Sequence, residues 1–326
     1  MTTTTTSTTT AAPITRREGD DQPVRRRRRG ASRDAKYAAR FLLPFGILFA
    51  FVMVAPILYA VYQSFFEQRR SGLGFDAPVT MFVGFANYVA TFQNADFIQS
   101  IGRVALIGIL QVPLMLLLAL GLALLLDSKS ARFGAAYRLI YFLPFAMPGV
   151  IAAIMWSFLY APGVSPFEDV LAPLGIHLDF VSPNVVLFSI ANMITWGWTG
   201  YNMLIIHSAL KAIPAELIEA ATIDGCSGWR IAWRIKVPLV RPALILTGVF
   251  SIIGTVQLYN EPQILGPGSH IAPSVTSTFS PIMVVQHAAD LNNYNLAAAM
   301  SLVLALGTCV VSFGFLKLTQ RHSNEG

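Results

Sequence analysis

Six long runs without a charged side chain divide this sequence, and they limit its possible folds more than any other feature. The runs cover residues 41–66, 104–126, 139–167, 180–210, 242–260 and 291–316. A helix needs about 20 residues to cross the roughly 30 Å apolar core of a bilayer. Only 12% of all residues are charged, about half the share in a soluble domain. The sequence therefore predicts an all-α integral membrane protein with six transmembrane helices.

The predicted membrane domain covers residues 37–318, between an N-terminal arm and a short tail at 319–326. Residues 1–36 combine a threonine-rich stretch with the basic run Arg25–Arg29. Such a composition cannot bury enough apolar surface to fold, so we expect a disordered basic arm. A basic run can also indicate nucleic-acid binding. Here an apolar helix follows directly, which favours membrane lipid as the partner and no nucleic acid.

A seventh uncharged run, residues 262–289, has a different character. It holds four prolines, two glycines and many hydroxyl side chains. Prolines and glycines leave backbone groups without intrahelical partners, which lipid does not tolerate. We therefore expect this run to form an outer loop and not a further span.

Basic residues are distributed very unevenly between the two predicted sides of the membrane. Twenty lysines and arginines lie on the side of the termini, and three lie on the other side. Positive charge accumulates on the cytoplasmic side of membrane proteins. The sequence thus predicts a multi-pass protein of the cytoplasmic (inner) membrane, with both termini and residues 211–242 in the cytoplasm.

Residues 213–242 read IPAELIEAATIDGCSGWRIAWRIKVPLVRP, which is the most polar long stretch in the membrane-like half of the chain. Pro214 suits the first turn of a helix, and Gly225 suits a left-handed C-terminal cap. Ser227 can cap a second helix, which Pro238 is expected to end. The pattern predicts a short helix, a tight turn and another helix.

The first of these short helices can serve in two ways. Its exposed face would carry Glu216, Glu219 and Ala220, and small residues such as Ala220 and Ala221 let another surface come close. A short helix held at a fixed angle by a glycine turn suits docking to a partner. The alternative is an ordinary solvated connector.

The order Glu219-Ala220-Ala221, then Gly225, and later Ile235, Val237 and Pro238, resembles the EAA loop of bacterial ABC importer permeases. The usual loop has Leu where Val237 stands and often Ala where Cys226 stands. Other stretches look similar to the same family, namely LLPFGILFAFVMVAPILYAVYQSFF, FVGFANY, YRLIYFLPFAMPGVIAAIMWSFLYAP and YNEPQIL. The resemblance covers about residues 37–318 and is greatest for the MalF-like and UgpA-like permeases of carbohydrate importers.

This resemblance implies a transport subunit and not an enzyme. Such a permease pairs with a second homologous permease, two ABC ATPase subunits and an extracytoplasmic solute-binding protein. ATP and magnesium belong to the ATPase subunits, so no cofactor or metal is expected in this chain. The EAA loop would couple the permease to an ATPase subunit. The residues expected to do so are Glu216, Glu219, Ala220, Ala221, Asp224 and Gly225.

The implied cargo is a sugar, either a disaccharide or oligosaccharide of the trehalose or maltose type, or glycerol-3-phosphate. A secondary, ion-coupled carrier is the alternative. Proton-coupled carriers place ionisable relays within their spans, whereas the six uncharged runs hold His207 as their one titratable candidate relay. The sequence also has no GxxxxGK[ST] phosphate-binding loop, so the chain itself is not expected to bind ATP.

Two polar stripes suggest where cargo could bind. Trp198, Tyr201 and Asn202 share one helix face, and Ser251 and Thr255 share another. Aromatic faces suit sugar C–H surfaces, and amides and hydroxyls suit sugar hydroxyls. The predicted substrate-binding residues are Trp198, Tyr201, Asn202, Ser251, Thr255, Tyr259 and Asn260. The alternative is helix–helix packing, for which membrane proteins also use small and polar residues.

Overall fold

The computed structural model describes residues 31–69, 79–128, 133–176 and 178–324. Two compact units meet at the boundary between Pro56 and Ile57. Most of the predicted arm, residues 1–30, lies outside the described residues. The predicted tail is helical as far as it is described, since the last helix extends to Asn324.

The chain is first helical from Ala31 to Ser64. Helix α1 (Ala31–Phe49) continues through a π-helical turn (Ala50–Val54) into helix α2 (Ala55–Ser64). Within this stretch, Tyr37–Ser64 is long and apolar enough to cross a bilayer. This run corresponds to the first predicted span at 41–66.

A short hairpin follows, which the sequence did not predict. Strands β1 (Phe66–Arg69) and β2 (Val79–Phe82) are antiparallel, with Phe66 opposite Phe82. Helix α3 (Ala86–Gln93) begins after Gly84, which has a positive φ of 58°. The side-chain amide of Asn87 donates to the carbonyls of Ser64 and Phe66, at 2.9 and 2.7 Å. These bonds fasten α3 to the start of the hairpin.

The central helices come next in the chain. They are α4 (Ala95–Asp127), α5 (Gly134–Ala146), α6 (Gly149–Tyr160), α7 (Pro166–Leu171) with a 3-10 turn (Ala172–Leu174), and α8 (Val186–Lys211). Helices α5 and α6 meet at an angle of 92°. Pro144, Pro148 and Gly149 lie at or near this bend. Pro148 lacks the N–H that would continue the helix.

The last part of the described chain is helical almost throughout. It holds α9 (Ala215–Ile223), α10 (Gly228–Ile231), a π-helical segment (Ala232–Lys236), α11 (Val237–Leu239), α12 (Arg241–Val256), α13 (Asn260–Gln263), a second π-helical segment (Ile264–Gly268), α14 (Pro281–Asp290) and α15 (Tyr294–Asn324).

The described helices are consistent with the six predicted spans. By length and composition, four helical runs in this part of the chain could cross a membrane, or five if the bent pair α5–α6 counts as one. Helix α8 has 26 residues, about 39 Å at 1.5 Å per residue, and is long enough to be the sixth. It is less apolar than the others because its centre reads TWGWTGYN.

No further span of its own lies within residues 262–289 in the described chain, as the prediction of an outer loop required, but both ends of that run are helical. Helical structure continues to Gly268 and resumes over Pro281–Asp290. The segment also enters the core, where Leu265 and Ala272 are fully buried. Arg103 of α4 donates to the carbonyl of Phe279 at 2.6 Å and lies over its ring. Pro262 and Pro281 are tolerated because they lie in first helical turns.

Helices α4 and α8 form the most extensive helix–helix contact in the compact unit that begins at Ile57. Small residues Ala119 and Ala123 of α4 pack against Met203, Ile206 and Leu210 of α8. Helix α5 packs against the same helix α8, where a Cβ on Gly200 would overlap the carbonyl oxygen of Tyr141. Gly200 therefore permits the close approach of α5 and α8.

We expect Gly200→Ala to destabilise the protein, because a methyl group there must displace the backbone of α5. Overpacking of this kind costs about 1–3 kcal/mol. Gly197→Ala is the matched control, since a Cβ on Gly197 meets nothing within 4 Å. Thermal unfolding of the two variants in detergent measures the difference. Equal unfolding temperatures for the two variants would show that α5 does not approach α8 as described.

Candidate functional site

The connection between α8 and α12, residues 212–240, contains the predicted helix–turn–helix. Helix α9 covers Ala215–Ile223 with Pro214 just before it. Gly225 has a positive φ of 76°. Its N–H donates to the Thr222 carbonyl at 3.1 Å, and the Cys226 N–H donates to the Ala221 carbonyl at 3.0 Å. These two bonds form a Schellman cap, so the predicted glycine cap is confirmed.

Three of the six predicted coupling residues lie on one exposed face of α9. Glu216, Glu219 and Ala220 are exposed, and so is Ile223, at 87%. These four residues follow the i, i+3, i+4, i+7 pattern of a single helical stripe. Asp224 and Gly225 are exposed at the end of the helix. We call Glu216, Glu219, Ala220 and Ile223 the α9 stripe.

Ala221 does not belong to this exposed surface. Its side chain is only 7% exposed, so it faces the protein and cannot let another surface approach, as the sequence suggested. Ile223 was missed because an isoleucine at a helix end normally indicates a buried contact. Its exposure adds an apolar group to an otherwise acidic stripe.

The second half of the connection differs from the prediction in two details. Ser227 does precede α10, but its hydroxyl makes no capping bond. Pro238 does not end the helix, because the preceding residues Ala232–Lys236 widen into a π-helix and α11 continues to Leu239. A π-helical turn tolerates the hydrogen bond that is missing because proline has no N–H. The rings of Trp229 and Trp233 lie tilted against each other at the surface, with ring centroids 5.5 Å apart.

A single carboxylate binds both ends of this connection. Asp127, the last residue of α4, accepts from Nζ of Lys211 at 2.8 Å and from Nζ of Lys236 at 2.6 Å. The Asp127 side chain is 9% exposed, while those of Lys211 and Lys236 are 60% and 19% exposed. We call these three residues the Asp127 cluster. Removing one partner of a buried ion pair costs about 3–5 kcal/mol, whereas an exposed pair contributes about 0–1 kcal/mol.

A first cavity of about 250 Å³ lies at the bend between α5 and α6. Its walls include Trp156, Trp196 and Trp198, and we call it the tryptophan cavity. Asn260 and Glu261 also line it. The indole N–H of Trp156 is buried without a hydrogen-bond partner among the described residues. This unpaired donor, together with the amide and the carboxylate, suits a ligand that carries hydroxyl groups.

A second cavity of about 120 Å³ lies beside the first and shares Trp198, Asn260 and Glu261 with it. We call it the hydroxyl cavity, because Ser251 and Thr255 line it. Tyr259 lines it as well. Glu261 is the one carboxylate among the described residues that line either cavity, and none of these residues is Lys, Arg or His.

The two predicted polar stripes do face each other. The Asn202 side-chain amide donates to Ser251 Oγ at 3.4 Å, and Asn202 is only 1% exposed. Thr255 Oγ1 donates to Gln111 Oε1 at 3.3 Å, which links α12 to α4. These contacts are helix-packing bonds. The Asn202 Oδ1 atom is buried and has no partner among the described residues.

The aromatic part of the α8 stripe lies nearer to the cavities. Tyr201 stacks on Phe145 with ring centroids 4.5 Å apart, and Trp198 meets both rings edge-on. Trp198 lines both cavities, whereas Tyr201 lines neither. Tyr201 thus supports the Trp198 and Phe145 rings from behind.

Several cavity residues were not predicted from sequence. Glu261 lies at the edge of an uncharged run, where a charge usually marks a span boundary. Trp156 lies near the end of α6, where tryptophans are often interfacial anchors and not cavity residues. The bend at Met147 and Pro148 brings α6 against α8. It thereby places Trp156 beside Trp196, with their ring centroids 5.6 Å apart.

The family described as binding-protein-dependent transport system inner membrane component matches residues 115–323. The chain belongs to this family. A probable ABC transporter permease protein of Pyrococcus horikoshii is 31% identical over 295 residues, 87% of this chain and 96% of the relative. The sulfoquinovosyl glycerol transport system permease protein SmoG of Agrobacterium fabrum is 31% identical, over 86% of this chain and 89% of SmoG.

A solved structure shares the fold of this ABC transporter permease. It is that of a bacterial ABC transporter involved in the import of the acidic polysaccharide alginate, with a TM-score of 0.72 and 21% identity. The match covers 90% of this chain and 98% of the other. The sequence-based assignment to ABC importer permeases is therefore confirmed, and the ion-coupled carrier is not favoured.

We expect Gly225→Ala to loosen α9 in this permease, because an L-residue at positive φ is strained by about 1 kcal/mol or more. That energy corresponds to an equilibrium constant for local opening that is about fivefold larger, and therefore to about fivefold faster exchange. Hydrogen–deuterium exchange of a peptide covering α9 measures it. Gly228→Ala is the control, since the φ of Gly228 is not positive and a Cβ added there meets nothing within 4 Å. Equal exchange in both variants would contradict the cap.

Proposed function

We propose that this chain is a permease subunit of an ATP-driven importer that carries a neutral disaccharide or oligosaccharide across the cytoplasmic membrane. It works beside a second homologous permease, with two ABC ATPase subunits on the cytoplasmic side. An extracytoplasmic solute-binding protein delivers the cargo. Both termini and the α8–α12 connection lie in the cytoplasm, as the distribution of basic residues favours.

One observation carries this proposal, namely the exposed α9 stripe in a chain of this family. The stripe lies outside the apolar runs and ends in a rigid glycine cap. Glu216 and Glu219 offer charge, and Ala220 and Ile223 offer a small and an apolar contact. A connector that only met water would gain nothing from an isoleucine exposed at 87%. The stripe thus suits insertion into a groove of an ATPase subunit.

The cavities support a neutral sugar as the cargo. Trp156, Trp196 and Trp198 offer aromatic faces, and Asn260 offers an amide to hydroxyl groups. The side chain of Glu261 can hydrogen-bond to hydroxyls, and none of the described lining residues is a Lys, Arg or His that could pair with a phosphate or another carboxylate. This favours a sugar of the trehalose or maltose type over glycerol-3-phosphate, and it departs from the acidic cargo of the alginate importer.

The predicted substrate residues then divide into two groups. Trp198, Ser251, Thr255, Tyr259 and Asn260 line the cavities and would meet cargo directly. Tyr201 and Asn202 lie behind this surface and hold it in place. During transport the permease exposes the cavity alternately to the two sides, and separation of α8 from α12 would free the unpaired Oδ1 atom of Asn202.

The test is uptake into proteoliposomes by the purified importer complex, with ATPase activity measured in parallel. Radiolabelled trehalose, maltose and glycerol-3-phosphate are the candidate cargoes. We expect ATP-dependent uptake of a neutral sugar. Glu261→Ala should lower that uptake about fivefold or more, because leaving a buried hydroxyl group of the sugar without a partner costs about 1–3 kcal/mol. Basal ATPase activity should remain, whereas Glu219→Lys should reduce both uptake and stimulated ATPase activity.

Asp169→Ala is the control, since Asp169 is an exposed carboxylate on α7, away from the cavities and from α9. Three results would contradict the proposal. Uptake driven by an ion gradient without ATP would restore the carrier alternative. Uptake of glycerol-3-phosphate alone would exclude the neutral cargo. Normal transport and ATPase activity in Glu219→Lys would exclude docking through α9.

A further inference from the structure

The Asp127 cluster is the feature of the α8–α12 connection that the family assignment leaves unexplained. Lys211 is the last residue of α8, and Lys236 is the last residue of the π-helical segment before α11. They bracket residues 212–235, which include α9, its cap and α10. One carboxylate therefore closes this segment at both ends, through two bonds of 2.8 and 2.6 Å.

The position of Asp127 is electrostatically costly unless it has partners. The C-terminus of a helix carries partial negative charge, so an acid in the last turn is unfavourable. The side chain is also largely removed from water, which adds a desolvation cost. Two ammonium groups offset both effects. Moving the segment away from α4 would take Lys236 from this carboxylate and leave Lys211, at the end of α8, as its remaining charged partner.

Helix α4 connects the cluster to the cavity region. Met115 of α4 lines the hydroxyl cavity, and Gln111 accepts a hydrogen bond from Thr255 of α12. Asp127 lies twelve residues beyond Met115 on the same helix, about 18 Å at 1.5 Å per residue. Because the segment that contains α9 is fastened to Asp127, a displacement of α9 reaches the cavity through the single helix α4.

We propose that Asp127 is a positioning residue that makes residues 212–235 and α4 move as one body, and that this is how the docking segment acts on the cargo cavity. The proposal rests on the proposed function, because it assigns to α9 the force from an ATPase subunit. Lys236 is the more important partner, since it is more buried than Lys211 and its bond is shorter. An exposed pair such as Lys211–Asp127 contributes less.

The first test measures the mechanical link and needs no transport. Spin labels are placed on Leu125 of α4 and Leu217 of α9, both exposed and both outside the α9 stripe, in a complex in which Cys226 and Cys309 are replaced by serine. Pulsed electron paramagnetic resonance gives the distance distribution between them. We expect a narrow distribution in this background, a clearly broader one after Asp127→Asn or Lys236→Met, and a narrow one after Lys236→Arg. An unchanged distribution in Asp127→Asn would overturn the proposal.

The second test measures coupling as the number of ATP molecules hydrolysed per sugar transported. Energetic coupling between sites typically spans about 5- to 150-fold, so we expect Asp127→Asn and Lys236→Met to raise this number at least about fivefold. Lys211→Met should change it less. Lys236→Arg keeps the charge and should restore the normal number, and Asp169→Asn is the control for loss of an exposed carboxylate.

The outcomes separate the two proposals. A purely structural role would lower the amount of assembled complex and reduce ATPase activity and uptake in parallel, with no change in their ratio, and this result would overturn a positioning role. A normal ratio in Asp127→Asn at a normal protein level would overturn it as well. If the unmodified complex shows no sugar-stimulated ATPase activity, the proposed function fails, and the distance measurement still decides whether Asp127 fastens the segment.

Discussion

The close contact between α4 and α8 is the interaction on which the other features of the compact unit depend. The hydrophobic effect does not drive apolar helices together in lipid, so close packing and interhelical hydrogen bonds must hold them together. Ala119 and Ala123 are fully buried and let α4 approach α8. At one end of this contact Asn202 lies near Met115 and Ser251. At the other end Asp127 meets Lys211. The cavity wall and the anchor of the docking segment are thus parts of one helix pair.

The helical membrane class followed from the sequence because lipid excludes charge so strongly, and the described helices are consistent with the six predicted spans. The helix ends did not follow, because helices continue beyond their apolar runs. Helix α4 was expected at 104–126 and begins at Ala95, where the Asn94 side chain accepts from the Phe97 N–H. Residues 262–289 were expected to form an outer loop because of their prolines and glycines. The segment is buried against protein instead of lipid, so its backbone groups have partners there.

The functional site could be predicted where its geometry is local. The cap at Gly225 depends on a few neighbouring residues, and its sequence pattern is therefore sufficient. The Asp127 cluster joins residues 109 positions apart in the chain, and no local pattern indicates such a pairing. Glu261 lines the tryptophan cavity because the α5–α6 bend brings Gly149 near Asn260, where an added Cβ would lie 3.2 Å from the Asn260 amide nitrogen. Such contacts follow from the fold and not from spacing.

Photo-crosslinking from position 223 in the assembled importer complex tests the central claim most directly, namely that α9 docks on an ATPase subunit. A benzophenone amino acid replaces Ile223, whose side chain is among the most exposed of the large apolar side chains described. The same probe at Val170 of α7 serves as the control, since that exposed residue is expected on the opposite side of the membrane. The account predicts a covalent adduct with the ATPase subunit from position 223 and none from position 170. Adducts from position 223 only with lipid or with this chain itself would contradict it.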